Sequence, residues 1–268
     1  MVKKYKYFYI LIALFILSRL LFIFFTPYAS FGEERRIGTI GHDLVFEKGL
    51  RIPFWAYLDS AHSGGSIFSG LAAVPFYIIF GDRYLALKIT ALFFSLLTVL
   101  LWYRLLFPEI KKSSFFFPLF LLFFSFSIPN YLEKSVLLMG NANEIIFFNA
   151  LVISYFWKIN NNLKPKALDY LLLGIVSGFS FWVQFMNSYL FLAIIIALLV
   201  TKRFTQALKY IFLLFAGFLL GAFPLWVYNF LYQWITLVVD TGGISFSFLN
   251  LEKLKNLLLT DLPASFHF

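Results

Sequence analysis

The sequence predicts an all-α polytopic membrane protein, and three observations lead to that fold class. Of the 268 residues, 61% are hydrophobic and only 13% are charged, whereas a typical soluble domain has about 25% charged residues. Phenylalanine alone occurs 38 times, which is more than a soluble core of this length can enclose. The apolar residues also form long unbroken runs, which are typical of membrane helices and not of the short alternating strands of a transmembrane barrel.

The first predicted transmembrane helix covers about residues 7–26. Lys3, Lys4 and Lys6 precede an apolar run that is long enough to cross a hydrocarbon core of about 30 Å. The competing interpretation is a cleaved signal peptide, but the run is too long for one and residues 28–30 are a poor cleavage site. We therefore expect an uncleaved helix whose N-terminus is cytoplasmic.

Six further transmembrane helices are predicted from the apolar runs that follow, at about 84–106, 115–130, 142–158, 168–186, 189–201 and 207–232. The run at 66–80 is excluded because a helix over so few residues is only about 22 Å long. If it crossed the membrane, the basic clusters at 111–112, 158–166 and 202–203 would all lie outside. If it lies in the outer interface instead, all three clusters are cytoplasmic, in agreement with the positive-inside tendency.

The resulting topology is a single membrane domain over residues 1–268 with seven transmembrane helices and an external C-terminus. Its first external loop, at 27–83, is long and ends in the interfacial helix at 66–80. The external tail at 233–268 contains a leucine-rich segment, 249–263, with the pattern of a helix on the membrane surface.

Charge and cysteine content narrow the expected partners. The formal net charge is +9, but basic residues in cytoplasmic loops account for it, so nucleic acid is not an expected partner. All thirteen acidic residues except Glu109 and Asp169 fall on the outer side in this topology. The chain has no cysteine, which excludes a disulfide framework, a thiolate nucleophile and a Cys-ligated metal.

Short motifs along nearly the whole chain occur in the order and spacing of a known family. They are the acidic pair in Gly32-Glu33-Glu34, HSGGS at 62–66, FGDRYLALK at 80–88, MGNANE at 139–144, LLLGIVSGFSFW at 171–182 and GAFPLWVYN at 221–229. The pattern resembles polyprenyl-phosphate-sugar-dependent membrane glycosyltransferases of the GT-C fold, such as protein O-mannosyltransferases and lipid A aminoarabinose transferases. The resemblance implies the seven-helix GT-C module, with Glu where the family usually has Asp. It also implies that the chain ends short of the further helices of full-length relatives.

The reaction implied by the resemblance is a single inverting displacement. An acceptor hydroxyl attacks the anomeric carbon of the sugar, and polyprenyl phosphate leaves. A hydroxyl is a poor nucleophile at neutral pH, so a carboxylate must accept its proton, and the alignment of the acidic pair assigns that role to Glu33 or Glu34. Adjacent residues of a helix do not share a face, so only one of them can point into a cavity. The alternative is that both are solvated charges at a helix start, where acids favour the helix dipole.

The remaining candidate site residues are assigned to substrate binding: Arg19, Arg35, Arg36, His62, Gly64, Gly65, Asn143, Glu144 and Gln184. Arg19 would hold the leaving phosphate from within the first helix, or extend its guanidinium to the interface. Gly64 and Gly65 would admit a ligand close to the backbone, or form an ordinary turn, and Asn143 would otherwise cap a helix. No metal-ligating constellation is visible and no cofactor is expected, although a divalent metal is left open.

Three functions from different classes fit these observations. The first is transfer of a hexose or pentose from a polyprenyl-phosphate donor to an acceptor hydroxyl at the outer face of the cytoplasmic membrane. The second is a truncated, non-catalytic GT-C-like protein that binds polyprenyl lipid or a partner. The third is a lipid-sugar transporter, which the lack of inverted repeats and broken helices disfavours. The expected partners are the lipid-linked donor, the lipid bilayer and an acceptor whose identity the sequence leaves open.

Overall fold

The computed structural model describes residues 2–25, 32–47, 49–58, 63–112, 116–126, 129–162, 165–200, 204–234 and 236, and over these residues it is all-helical. The helices are α1 (Val2–Phe25), α2 (Gly32–Phe46), α3 (Gly65–Phe80), α4 (Tyr84–Lys112), α5 (Phe116–Ser125), α6 (Pro129–Lys134), α7 (Asn143–Asn161), α8 (Ala167–Val183), α9 (Ser188–Val200), α10 (Phe204–Gly221) and α11 (Phe223–Leu231). Short 3₁₀ turns occur at Phe54–Tyr57 and Phe185–Asn187.

The chain divides into two compact units, Met1–Tyr228 and Asn229–Phe268. All of the candidate site residues belong to the first unit. In the second unit the structure describes residues 229–234 and 236, where the Asn229 side-chain oxygen accepts hydrogen bonds from the backbone N–H and the hydroxyl of Thr236. The predicted surface helix at 249–263 lies outside the described residues.

Two helices of the described chain are long and apolar enough to cross a membrane, Phe8–Phe25 within α1 and Tyr84–Phe107 within α4. A third span results if the bent pair Leu208–Gly221 and Phe223–Leu231 is counted as one. The prediction of an all-α chain is thereby confirmed, with two or three apolar helices that could span a membrane. α8 and α9 have 17 and 13 residues, so each is shorter than the about 20 residues that a bilayer core requires. The count of seven transmembrane helices stays a prediction.

The structure divides the stretch predicted as one helix over 207–232 into two helices, and a single membrane span across both stays a prediction. α10 ends at Gly221, a turn at Ala222 follows, and α11 continues at an angle of 57° to α10. Pro224 fits the break: it lies in the first turn of α11, where its missing N–H removes no hydrogen bond of the helix.

The first external loop predicted at 27–83 contains two helices that pack closely together. α3 is the predicted interfacial helix, whereas α2 was not anticipated as a separate element. A Cβ atom added at Gly41 would collide with the carbonyl oxygen of Gly70, and one added at Gly70 would collide with that of Ile37. The two backbones therefore touch where they cross, and only glycine allows this approach.

A second close helix pair, α8 and α10, depends on glycines spaced four residues apart on each helix. A Cβ atom at Gly178 would meet the carbonyl oxygen of Phe218, and one at Gly217 would meet that of Leu171. Small residues at this spacing let membrane helices pack backbone against backbone. The pair encloses an apolar cluster with Tyr170, Leu173 and Leu214.

Candidate functional site

The acidic pair at the start of α2 is divided between the interior and the surface. Glu34 is fully buried (0% exposed), whereas Glu33 is exposed. The Glu34 Oε2 atom lies 2.6 Å from Lys88 Nζ of α4, and its Oε1 atom accepts a hydrogen bond of 2.9 Å from Leu138 N. Burial raises the pKa of Glu34, and the Lys88 ammonium and the Leu138 N–H act in the opposite sense. Glu34 thus joins α2 to α4 and to the segment that follows α6.

That segment, residues 135–142, collects polar contacts from several helices and is called the connecting segment below. Arg19 of α1 is fully buried and donates from Nε to Ser135 Oγ (3.2 Å) and from Nη1 to the carbonyl of Ser125 (2.8 Å). Its guanidinium also lies 4.1 Å from the centre of the Phe15 ring. Ser95 of α4 donates to the carbonyl of Ser135 (2.7 Å). Arg19 therefore points inward and helps to fix the connecting segment against α1.

Asn143 and Glu144, at the start of α7, are both buried and both contact the connecting segment or its neighbours. The Asn143 amide donates to the carbonyls of Lys134 (2.6 Å) and Leu137 (3.3 Å). The Glu144 Oε1 atom accepts from Ser69 Oγ of α3 (2.8 Å) and from Gly140 N (3.2 Å), while its Oε2 atom is buried with no hydrogen-bond partner. Asn143 is the first residue of α7, and the N-cap position before it is Ala142, which makes no side-chain cap hydrogen bond, so Asn143 does not cap the helix.

Gly64 and Gly65 form the start of α3 and lie against two other parts of the chain. Gly64 N donates to the carbonyl of Trp182 at the end of α8 (2.8 Å). A Cβ atom on Gly65 would collide with the carbonyl oxygen of Gly140. The glycines therefore serve a close approach between protein backbones in this structure, and this approach occupies the space predicted for a ligand. Gln184, the residue after α8, is half-buried beside them.

The structure thus brings Glu34, Gly64, Gly65, Asn143 and Glu144 together around the connecting segment, although they come from three separate stretches of sequence. Glu33 and Arg36 are exposed. His62 lies outside the described residues. No group of three or more His, Asp or Glu side chains in the described part of the chain could hold a metal ion.

A cleft rich in arginine, called the arginine cleft below, opens between α2, α3 and the start of α4. Its volume is about 350 Å³. It is lined by Arg35, His42, Arg51, Tyr77, Asp82 and Arg83, together with Thr39, Tyr84 and Leu87. The guanidinium of Arg35 lies 5.3 Å from the centre of the Tyr84 ring, a cation–π contact. Burial raises the pKa of Tyr77 to about 12, so its phenol remains a hydrogen-bond donor at neutral pH.

Asp43 is buried beneath this cleft and binds Arg51, one of its lining residues. It is 1% exposed, and its carboxylate accepts from Arg51 Nη2 at 2.6 Å and from the Tyr57 hydroxyl at 2.5 Å. Burial alone would raise the pKa of Asp43, but the hydrogen bonds from Arg51 and Tyr57 outweigh it and hold the pKa below its usual range. Asp43 thereby fixes Arg51, which is about half exposed, at the edge of the cleft.

His42 lies between two carboxylates. Its Nδ1 atom is 3.6 Å from Asp43 Oδ1, and its Nε2 atom is 3.4 Å from Asp82 Oδ2. The side chain of His42 is 23% exposed and that of Asp82 is 69% exposed. His42 and Asp82 therefore line the cleft, and the buried Asp43 lies beneath them. The cleft therefore offers three guanidinium groups and one accessible carboxylate with an imidazole behind it.

The chain matches no protein-family model, no curated protein and no solved structure. The proposals that follow therefore rest on the geometry above and on the sequence resemblance.

Most residues of the arginine cleft were missed from the sequence, Arg35 being the exception. His42 and Asp43 match no motif, and Asp82 and Arg83 lie about forty residues further along the chain. One signal was available: Arg35, Thr39 and His42 are spaced four and three residues apart, which places them on one face if 32–46 is a helix. From the sequence, a helix start was placed at Glu33 and Glu34, but that helix was not extended to His42.

Proposed function

We propose that this protein is a membrane glycosyltransferase that moves a sugar from polyprenyl phosphate to an acceptor hydroxyl at the outer face of the cytoplasmic membrane. The observation that carries the proposal is the arginine cleft at the head of α4. Arg35, Arg51 and Arg83 converge on one cavity, and the adjoining helix has a candidate membrane span that begins at Tyr84. A lipid-linked phosphate combines one anionic group with a long apolar chain, so it needs cations next to the bilayer.

The cleft suits the phosphate of such a donor for three reasons. Guanidinium groups bind phosphate through paired hydrogen bonds. Arg35 and Arg83 form no ion pair with a carboxylate among the described residues, so both are available to a ligand. The Tyr84 ring beside Arg35 offers an apolar face on which a sugar can rest.

The residues around the connecting segment hold the cleft in place in this proposal. Glu34 and Lys88 fix α2 against α4 directly beside Arg35 and Leu87. The resemblance assigns the base for the acceptor hydroxyl to Glu33 or Glu34, and the seven-helix GT-C module remains the proposed architecture. Arg36 and Gln184 stay proposed substrate contacts.

Donor binding and turnover test the proposal. The full chain in nanodiscs is titrated with decaprenyl phosphate, and inorganic phosphate serves as competitor. Arg35→Ala and Arg83→Ala should each weaken binding roughly tenfold or more, because a hydrogen bond to a charged group contributes roughly 1.5–3 kcal/mol. Arg104→Ala, on the same helix as Tyr84 and outside the cleft, is the matched control and should bind as the wild type does.

Turnover is measured with decaprenyl phosphates that carry mannose, glucose, N-acetylglucosamine or arabinose, and with octyl glucoside as the acceptor. Release of decaprenyl phosphate together with a new glycoside of inverted configuration supports the proposal. Unchanged binding by both arginine variants, or the absence of turnover with every donor, contradicts it.

A second candidate is a lipid-phosphate-binding protein without transferase activity. The observation that favours it is the position of Glu34, whose two oxygen atoms are both engaged by the protein in a fully buried place. Tight binding of decaprenyl phosphate that depends on Arg35 and Arg83, with no turnover of any donor, would select this function over transfer.

The proposed orientation places α2, α3 and the arginine cleft outside and the loop between α7 and α8 in the cytoplasm. Because the chain has no cysteine, single cysteines can be introduced and labelled in intact cells with a membrane-impermeant maleimide. Glu47→Cys should be labelled from outside, and Lys166→Cys only after the cells are permeabilised. The reverse pattern would refute the orientation.

A further inference from the structure

We infer that Asp82, held by His42, is the group that accepts the proton of the acceptor hydroxyl in the arginine cleft. The inference rests on the proposed glycosyl transfer and goes beyond it by naming a different base from the acidic pair. It follows from the accessibility of the carboxylates near the cleft. Asp82 is the carboxylate that lines the cleft, whereas Glu34 is sealed in the interior by Lys88 and Leu138.

The carboxylate of Asp82 is positioned by a neighbouring side chain, His42. Its Oδ2 atom faces His42 Nε2 at 3.4 Å, and the other ring nitrogen of His42 faces Asp43 Oδ1 at 3.6 Å. Asp43 is buried and held by Arg51 and Tyr57, and the imidazole lies between this carboxylate and that of Asp82. Asp82 lines the same cavity as Arg35 and Arg83. A supporting group of this kind limits how far a catalytic carboxylate can rotate.

A purely structural role for Asp82 is the competing explanation. The residue stands two positions before α4, where a carboxylate could cap the helix or favour its dipole. In the described part of the chain, however, its carboxylate accepts no hydrogen bond from the α4 backbone, and its polar partner is His42 of a different helix. Asp82 is also 69% exposed. A carboxylate that only capped α4 would not require His42 as a partner, and His42 in turn lies against the buried Asp43.

The proposed step can be written with its atoms and electrons balanced. A lone pair of the acceptor oxygen forms a bond to the anomeric carbon while the bond from that carbon to the phosphate oxygen breaks. The electron pair of the broken bond stays with polyprenyl phosphate, which Arg35 and Arg83 stabilise. The hydroxyl proton passes to Asp82 Oδ1 and from there to water. Asp82 is the catalytic residue in this step, and His42 is a positioning residue.

The test separates removal of the proton from every other step by replacing the acceptor. Azide attacks the anomeric carbon without losing a proton, so a variant that lacks only the base should still form glycosyl azide. Asp82→Asn in nanodiscs should transfer sugar to octyl glucoside about 10²- to 10⁴-fold more slowly than the wild type. With 1 M azide it should release decaprenyl phosphate and form inverted glycosyl azide at a rate close to that of the wild type with azide.

Three comparisons make the result specific. Arg83→Ala should lose turnover with octyl glucoside and with azide alike, since it weakens donor binding. His42→Gln should lower kcat for octyl glucoside and leave the KM for the donor unchanged, as expected for a residue that orients the base. Glu47→Gln, a surface carboxylate outside the cleft, should behave as the wild type does.

The outcomes distinguish this inference from the proposed function. If the wild type transfers sugar and Asp82→Asn retains its rate, Asp82 is not the base, and the proposed function stands. If Glu33→Gln or Glu34→Gln shows the azide-rescued loss instead, the base is in the acidic pair. If the wild type turns over no donor with either acceptor, the proposed function fails and the assignment of Asp82 fails with it.

Discussion

Replacing Glu34 by glutamine tests the central polar contact of the structure. The substitution preserves the size of the side chain and removes its charge, so the Lys88 ammonium loses the carboxylate that lies 2.6 Å away. Glu34 is 0% exposed and the Lys88 side chain is 9% exposed. Solvent therefore cannot readily replace the lost partner, and the resulting penalty falls on the folded state.

The expected destabilisation is large for a single substitution. Breaking a buried ion pair by removing one partner costs about 3–5 kcal/mol, because the other charge stays buried. For a domain of this size each kcal/mol shifts the melting temperature by about 2–4 °C, so the expected decrease is roughly 6–20 °C. Replacing both partners with apolar residues, as in Glu34→Leu combined with Lys88→Met, should recover most of the loss.

Thermal unfolding of the purified protein in detergent, followed by circular dichroism, measures the effect. Glu33→Gln is the matched control, since it makes the same chemical change at the exposed neighbouring residue and should alter stability by less than about 0.5 kcal/mol. Equal melting temperatures for the Glu33 and Glu34 variants would show that the buried ion pair does not hold α2 against α4. A double variant as unstable as Glu34→Gln alone would show that the loss comes from packing and not from the charge.

Three further predictions concern other contacts of the fold and use the same unfolding measurement. Gly178→Ala should destabilise the protein by about 1–3 kcal/mol, because its Cβ atom would collide with the carbonyl of Phe218. Gly32→Ala is the control, since its Cβ atom would have nothing within 4 Å and should not destabilise the protein. Equal stability of the two variants would refute the tight crossing of α8 and α10. The low pKa of Asp43 in the fold stabilises the protein above its unfolded pKa of about 3.9, and that contribution is lost as the pH falls through the folded value. Wild type and Asp43→Asn should therefore differ in stability at neutral pH and converge in acid, and a constant difference would contradict the assignment. Glu144→Gln should change stability by less than about 1 kcal/mol, since no cation of the described chain contacts this carboxylate; a loss as large as that of Glu34→Gln would be inconsistent with this.

The helical class of the chain could be predicted from the sequence because it depends on composition and on the length of apolar runs. The bounds of α3, α7, α8 and α9 fall within a few residues of the predicted ones for the same reason. The break within the helix predicted over 207–232 was not foreseen, because hydropathy does not register the missing N–H of Pro224. The length of α2 was not predicted, because its polar residues interrupt the apolar pattern, although Ile37 and Ile40 are buried.

The sequence by itself predicted an all-helical chain with apolar helices long enough to span a membrane, and it identified Glu33 and Glu34 as a pair of which only one could face inward. It could not decide which one, because the buried face of α2 is set by the positions of α3, α4 and the connecting segment. The tertiary structure decided that Glu34 is the buried residue, held by a lysine fifty-four positions away. It also placed Asp82, in the turn before α4, beside His42 of α2, a contact that no local pattern encodes. Side chains so far apart in sequence meet only through backbone crossings, such as the one at Gly41 and Gly70, and for that reason the sequence alone did not reveal the arginine cleft.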